Sequence, residues 1–425
     1  MKNIRISRRR ALQGAGLLAA AGVLMPGGFK VAFADAPVEQ RFVLYILRGA
    51  ADGLSLIPPY GDKDYKAERG ALALPKNLYT PLDDFYGASR DMPAFIKMFQ
   101  EGEAAAVQAV ASPYRNRSHF DAQNVLETGL AAPAKVHEGW LNRVLALYGA
   151  RRDGIGLAFG QAVPLVAQGK MPVFCWAPSE QGLPEQGLLT SLRAIYADDP
   201  LFQEALTGAI GVHGMLNTAE NAAMPVEKEK DATLIKSPAE FASSSELKMV
   251  PNKIAVHNAM NSIGSLLSNP KGPRIATIDQ GGWDTHILQG TDTGMLPFNA
   301  SLLDTAFESL KASLGEHWKN TIIMVATEFG RTVAPNGTIG TDHGTASCVL
   351  LAGGALNGGK VYGDWPGLAK DKQFKNRDLN PTTDMRSIAK AILSEHLGFA
   401  EKDTDGVFPD SADVQPLEGI IKKSG

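Results

Sequence analysis

Five short stretches of this sequence gather residue types that bind cations and move protons. They are Arg48-Gly49-Ala50-Ala51-Asp52-Gly53, Tyr114-Arg115-Asn116-Arg117-Ser118-His119-Phe120-Asp121, Asp279-Gln280-Gly281-Gly282-Trp283-Asp284-Thr285-His286, Thr327-Glu328-Phe329-Gly330-Arg331 and Gly340-Thr341-Asp342-His343-Gly344. Carboxylate oxygen and imidazole nitrogen suit hard or borderline divalent ions, so Asp52, Asp284, His286, Glu328, Asp342 and His343 are the candidate metal ligands. A pair of such ions, or one ion with an arginine, could hold a tetrahedral oxyanion and polarise its central atom. Ser118 would be the nucleophile only with that help, because a free hydroxyl is scarcely ionised at neutral pH. His119 could instead serve as general acid or base. Arg331 or Arg117 would neutralise the oxyanion, while Asp121 and Glu328 would orient the groups around it.

Each residue also has a plainer use. Asp52 between small residues could hold a turn by bonding its own backbone, and Ser118 could simply cap a helix. Glu328 and Arg331 could pair with one another at a strand end. Asp284 with His286, and Asp342 with His343, lie in glycine-rich loops whose packing needs neither acid nor imidazole, so these four favour the ligand reading. His137, His213, His257, His317 and His396 lack such a setting and read as surface or core histidines.

Buried strands must position these stretches. Apolar runs at Phe42 to Leu47, Ala105 to Val110, Val173 to Trp176, Arg274 to Ile278, Thr321 to Ala326 and Cys348 to Leu351 predict strands. Helical spacing runs through Asp91 to Gln100, Leu141 to Tyr148, Asn299 to Leu314 and Met385 to Leu397, the last capped by Thr383 or Asp384. The alternation predicts a three-layer α/β/α sandwich, and the near-continuous apolar strands predict a mainly parallel central sheet. In such a sheet ligands collect beyond the carboxyl ends of the strands, where four of the five stretches begin. The fifth, Gly340 to Gly344, precedes its strand instead. The region from about 179 to 250, rich in Ala, Glu, Lys and Ser, reads as a helical insertion.

The N-terminus carries an address. Ser7-Arg8-Arg9-Arg10-Ala11-Leu12, a glycine-rich apolar run to Leu24 and the small residues of Ala32-Phe33-Ala34 read as a twin-arginine export signal, residues 1–34, removed before Asp35. The translocase of that route is then a partner during export, and the mature chain, residues 35–425, works in the periplasm or beyond it. No later run is apolar enough to cross a bilayer, so stable membrane insertion is not expected. About 390 residues remain, enough for a large domain with insertions. The full 425-residue chain has a net charge of −3, and its interspersed signs supply no basic face for nucleic acid. Cys175 and Cys348 sit in apolar strand-like runs and are expected as buried free thiols rather than a bridge.

The twin-arginine signal, Leu47-Arg48-Gly49-Ala50-Ala51-Asp52-Gly53-Leu54 followed by Pro59-Tyr60-Gly61-Asp62, Arg117-Ser118-His119-Phe120-Asp121, Gly282-Trp283-Asp284-Thr285-His286, Thr327-Glu328-Phe329-Gly330-Arg331 and Thr341-Asp342-His343-Gly344 together resemble the bacterial family called domain of unknown function 1501. The resemblance spans about Arg41 to Leu397. That family is similar in turn to the alkaline phosphatase and sulfatase superfamily, which implies an alkaline-phosphatase-like fold with a metal site at the carboxyl edge of its sheet. Carried over by position, Asp52 would be the first acid, Ser118 the nucleophile, Asp284 and His286 an acid and imidazole pair, Glu328 the later acid and His343 the last imidazole. The superfamily spaces its pair Asp-x-x-x-His and follows with Asp-His; here the pair is Asp284-Thr285-His286 and the later pair Glu328-Phe329, so one imidazole is lacking and a single ion is as well supported as two. The sulfatase nucleophile motif is absent as well. The resemblance implies a hydrolase or transferase of phosphate or sulfate esters, on a small-molecule or polymer substrate, using zinc, manganese, calcium or magnesium. The alternative is a non-catalytic envelope binding or assembly protein that keeps the fold with a degenerate metal site.

Overall fold

The computed structural model describes residues 38–149, 155–177, 186–196 and 252–423. Eleven strands form within them: β1 (Arg41–Leu47), β2 (Tyr79–Pro81), β3 (Gly87–Ser89), β4 (Ala104–Ala111), β5 (Gly156–Phe159), β6 (Val173–Trp176), β7 (Ile275–Gln280), β8 (Thr321–Thr327), β9 (Ser347–Ala352), β10 (Lys360–Tyr362) and β11 (Thr383–Asp384). β2 and β3 make a small separate hairpin, and the other nine form one sheet in the order β10-β4-β9-β8-β1-β7-β5-β6, with β11 also on β4.

Every residue of β1 is buried, as its unbroken apolar run requires of a strand covered on both faces. Its alternate side chains enter two different cores. Val43, Tyr45 and Leu47 pack with the helices Pro93–Gln100, Lys253–Ser268 and Met295–Leu314. Phe42, Leu44 and Ile46 pack with Trp140–Leu147, Met385–Ala391 and Glu401–Val407. The two-residue period of the strand thus produces the three layers that the sequence predicts: a mixed, mostly parallel sheet between helices.

β1 runs parallel to β7 and β8, with Leu47 level with Gln280 and Thr327, so three strands end at the same height. β9 runs antiparallel to both β8 and β4, an orientation the apolar runs do not reveal. Its first residue, Ser347, therefore lies at the edge where β8 and β4 finish. This reversal explains why Gly340 to Gly344 precedes its strand and still joins the other four stretches.

Most predicted elements hold within a few residues, but β5, a short Gly-Leu-Ala-Phe run, escapes the sequence pattern. The last long helix is α only over Met385–Ala391 and finishes in a π turn, Ile392–His396, with Asp384 accepting a bond from the Arg386 N–H as expected of its cap. Cys175 and Cys348 are buried free thiols. The export signal lies outside the described residues, as does the 179–250 region apart from the helix Gln186–Ile195. No helix among the described residues is long and apolar enough to cross a membrane.

Candidate metal centre

At the carboxyl edge the helix His119–Thr128 begins with His119 as its first residue. Its ring Nε2 stands 3.0 Å from Nε2 of His343, which stands 2.9 Å from Nε2 of His286. Asp284 lies across all three: Oδ1 is 3.0 Å from His286 and 3.3 Å from His343, and Oδ2 is 3.5 Å from His119. His119, Asp284 and His343 offer ligand atoms all within 4.8 Å of one another. His286 adjoins this trio on the side of His343 and Asp284.

Each imidazole is held by its other nitrogen. Nδ1 of His119 bonds Glu328 at 2.8 Å, Nδ1 of His286 reaches Asp342 at 3.3 Å, and Nδ1 of His343 bonds the Arg117 carbonyl at 3.0 Å. With an acceptor at every Nδ1, a neutral ring carries its proton there and presents a bare lone pair at Nε2. Two such lone pairs cannot face one another at about 3 Å unless a proton or a cation lies between them. Metal-ligating histidines are tied down in this way, so the donor set fits a divalent ion.

The electrostatics agree. Hydrogen bonds that the His119 ring donates to Asp284 and Glu328 raise its pKa to about 9, so the site draws positive charge even as a proton. Burial pushes Asp284 up, but His119 and Arg331 outweigh it and hold the carboxyl well below the usual range. Burial lowers His343, which favours the neutral ring that coordinates metal. Asp284 and His286 remain 43% and 40% exposed, so the cluster opens to solvent and has room for a further ligand.

Local backbone geometry brings these loops together. Gly49 has φ +115° and lies so close to Asp284 that an added Cβ would sit 2.5 Å from its backbone nitrogen. At Gly340 a Cβ would fall 2.1 Å from the His286 carbonyl oxygen. Arg117, at φ 62°, takes the left-handed conformation rare for a side-chain-bearing residue and supplies the carbonyl that holds His343.

Several expectations need correction. Asp52, expected as the first metal-binding acid, is buried: it caps its own short helix at Leu54 N–H and pairs with Arg69, so both oxygens are engaged away from the imidazoles. Asp342, expected as a ligand, accepts from His286, and Glu328, expected as a ligand or as a group that orients the site, takes the orienting place by accepting from His119; Glu328 also takes the Gly49 N–H at 2.9 Å and the Gln123 amide at 3.2 Å. Arg331 does not pair with Glu328. It is buried, and its guanidinium bonds Asp284 at 2.6 Å and Thr341, so it acts on the carboxylate rather than on a bound oxyanion. Arg117 spends its guanidinium on Asp378. Asp121 bonds the Tyr114 hydroxyl at 3.1 Å rather than any ring of the cluster. Ser118 is the N-cap residue of its helix yet makes no side-chain capping bond, and His119, considered as an acid or base, belongs to the imidazole cluster. Asp284, His286 and His343 meet as expected. Sequence reasoning missed Gln123, in the helix His119–Thr128, and Asn336 and Gln289, in loops; an isolated amide side chain carries no spacing signal that would have found any of them.

An α/β/α sandwich with an imidazole and carboxylate cluster at the carboxyl edge of its sheet is thus the class of molecule in view. The profile of the family described as Protein of unknown function (DUF1501) matches residues 91–391, and the chain belongs to that family. No curated protein matches the sequence. Among solved structures it is similar to a sulfatase from Pseudoalteromonas sp., at 14% identity over 91% of this chain and 74% of that one, with a TM-score of 0.39. It is also similar to a protein in the alkaline phosphatase superfamily from Vibrio parahaemolyticus, at 9% identity over 92% and 75% of the two chains, TM-score 0.37. The alkaline phosphatase PafA matches at 9% identity over 70% and 64%, TM-score 0.35. At such TM-scores the likeness decides nothing about the reaction.

Proposed function

We propose that the chain is an exported, metal-dependent hydrolase or transferase acting on phosphate or sulfate esters. The observation that carries this reading is the meeting of three Nδ1-anchored imidazoles with Asp284 at the carboxyl edge of the sheet. His119, His343 and Asp284 would hold the ion, with His286 completing the set. Zinc and manganese suit this nitrogen-rich group better than calcium or magnesium. A divalent ion there supplies Lewis acidity toward an ester oxygen. Ser118, directly before His119 at the helix start, is the candidate nucleophile, and the helix N-terminus favours an anion beside it. Glu328 and Asp342 fix two of the rings, and Arg331 offsets the charge of Asp284.

A second reading, a non-catalytic binding or assembly protein of the cell envelope, has one observation in its favour. Both arginines expected to grip an ester oxyanion are bonded to carboxylates. Elemental analysis of the mature protein, followed by a screen of phosphate and sulfate esters with Ser118→Ala alongside, separates the two. Bound zinc or manganese with ester turnover lost in the variant supports the hydrolase; metal without turnover of any ester supports the binding protein. A protein that carries no metal and whose melting temperature ignores chelators removes the metal from both.

A further inference from the structure

We infer that Gln289 is a positioning residue whose buried side-chain amide locks the loop carrying Asp284 and His286 to the loop carrying Asp342 and His343. Gln289 has no solvent exposure. Its Oε1 accepts from the hydroxyls of Thr285 at 2.7 Å and Thr341 at 2.6 Å. Thr285 stands between Asp284 and His286, and Thr341 directly precedes Asp342 and His343. Nε2 donates to Asp52 at 2.6 Å and to the Ser55 hydroxyl at 3.3 Å.

The orientation of the amide is dictated by these partners. Asp52 can only accept, so it must face the NH2 group, which turns the oxygen toward the two threonines. Thr341 Oγ1 already accepts from Arg331 Nε at 2.9 Å, which directs its own proton to Gln289. All four bonding positions of the amide are then filled in a buried setting, where a satisfied network resists distortion.

A continuous chain results, from Arg69 and Asp52 through Gln289 and Thr341 to Arg331 and Asp284. Gln289 is its neutral middle member, a spacer between the buried Arg69–Asp52 pair and the Arg331–Asp284 pair, whose carboxylate opens to solvent. The backbone reinforces it, since Thr341 N–H bonds the Thr285 carbonyl at 3.0 Å and Gln289 N–H bonds the Ile339 carbonyl at 3.1 Å. This also gives Asp52, which does not reach the imidazoles, a route by which it bears on the site.

The inference that Gln289 orders ligand loops for a metal rests on the metal reading above, whereas the coupling of the loops does not. Replacing Gln289 outright would also take a partner from Asp52, although that carboxylate keeps Arg69, Ser55 and the Leu54 N–H, so Thr285→Val, which removes in a nearly equal volume one of the two hydroxyls that hold Gln289 Oε1, is the variant of choice, with Thr285→Ser restoring the hydroxyl. Two measurements on the full mature chain decide it: hydrogen exchange of the metal-free protein, and zinc titration by calorimetry. In Thr285→Val, amides of 340–343 should exchange faster together with those of 284–288, and zinc should bind about ten- to a hundredfold more weakly, with Thr285→Ser close to the parent in both. Unchanged exchange at 340–343 overturns the inference, whatever the melting temperature does. Faster exchange with unaltered zinc affinity overturns the positioning role and leaves only a structural tie. Should the parent protein bind no zinc, the metal reading falls, the positioning role falls with it, and exchange alone judges the tie.

Discussion

At the scale of single residues, the distinction that matters is between groups that face the centre and groups that aim them. His343 sits in the middle of the cluster, its Nε2 3.0 Å from Nε2 of His119 and 2.9 Å from Nε2 of His286, and is only a quarter exposed. His343→Ala removes a ligand without emptying a core. It should keep the fold, judged by circular dichroism, while metal affinity measured by calorimetry drops more than about a hundredfold. Arg69 works differently. It is wholly buried against Asp52, Ser55 and the Val333 carbonyl, so Arg69→Leu leaves the Asp52 carboxylate uncompensated. Urea denaturation should show a loss of about 3–5 kcal/mol, the usual cost of breaking one side of a buried pair. The sequence marks Asp52 as important without revealing which way it points: glycine-flanked acids serve turns and metals alike, and only Arg69, 17 residues away, decides the matter.

At the scale of elements, β1 is the clearest case of legibility, because the apolar run Phe42 to Leu47 reads as a strand covered on both faces, and the structure buries all of it together with Arg41. β9 is equally apolar, and its position in the sheet was predictable only as a strand; its antiparallel direction depends on how the chain returns from β8. The helix that begins at Met385 was legible by its period and cap, but not its π turn, where His396 packs into the interior and bonds the Arg41 carbonyl at 3.0 Å. Burial lowers that imidazole from 6.5 to about 4. The folded chain therefore holds the ring neutral while the unfolded chain takes up a proton more readily. Stability from this residue is complete above about pH 6.5 and is lost as pH falls toward 4, by about 3 kcal/mol. His396→Gln should flatten this part of the curve of unfolding free energy against pH; a variant that keeps the parent's slope between pH 6.5 and 4 contradicts it.

At the scale of the whole molecule, the sheet acts as a frame that gathers five loops from sequence positions near 50, 118, 284, 328 and 343 onto one edge. A centre assembled from such distant stretches exists only once the sheet is complete, which would suit the export in a folded state proposed above. Replacing Arg8 and Arg9 by Lys should hold the full-length chain in the cytoplasm, as read by cell fractionation, with the folded protein's melting temperature unaltered. Appearance of the double variant in the periplasm at the parent's level would refute the twin-arginine route.

The sequence by itself determined the layering, through strand runs buried on both faces, and it identified Asp284, His286 and His343 as residues that meet. Their types and glycine-rich surroundings are local facts, readable without coordinates. Tertiary structure alone decided that His119 joins them, that Glu328 and Asp342 hold rings, that Asp52 turns inward and that Gln289 links two loops. Which atom of a side chain faces a neighbour depends on contacts between segments far apart in the chain, and no spacing within one segment encodes them.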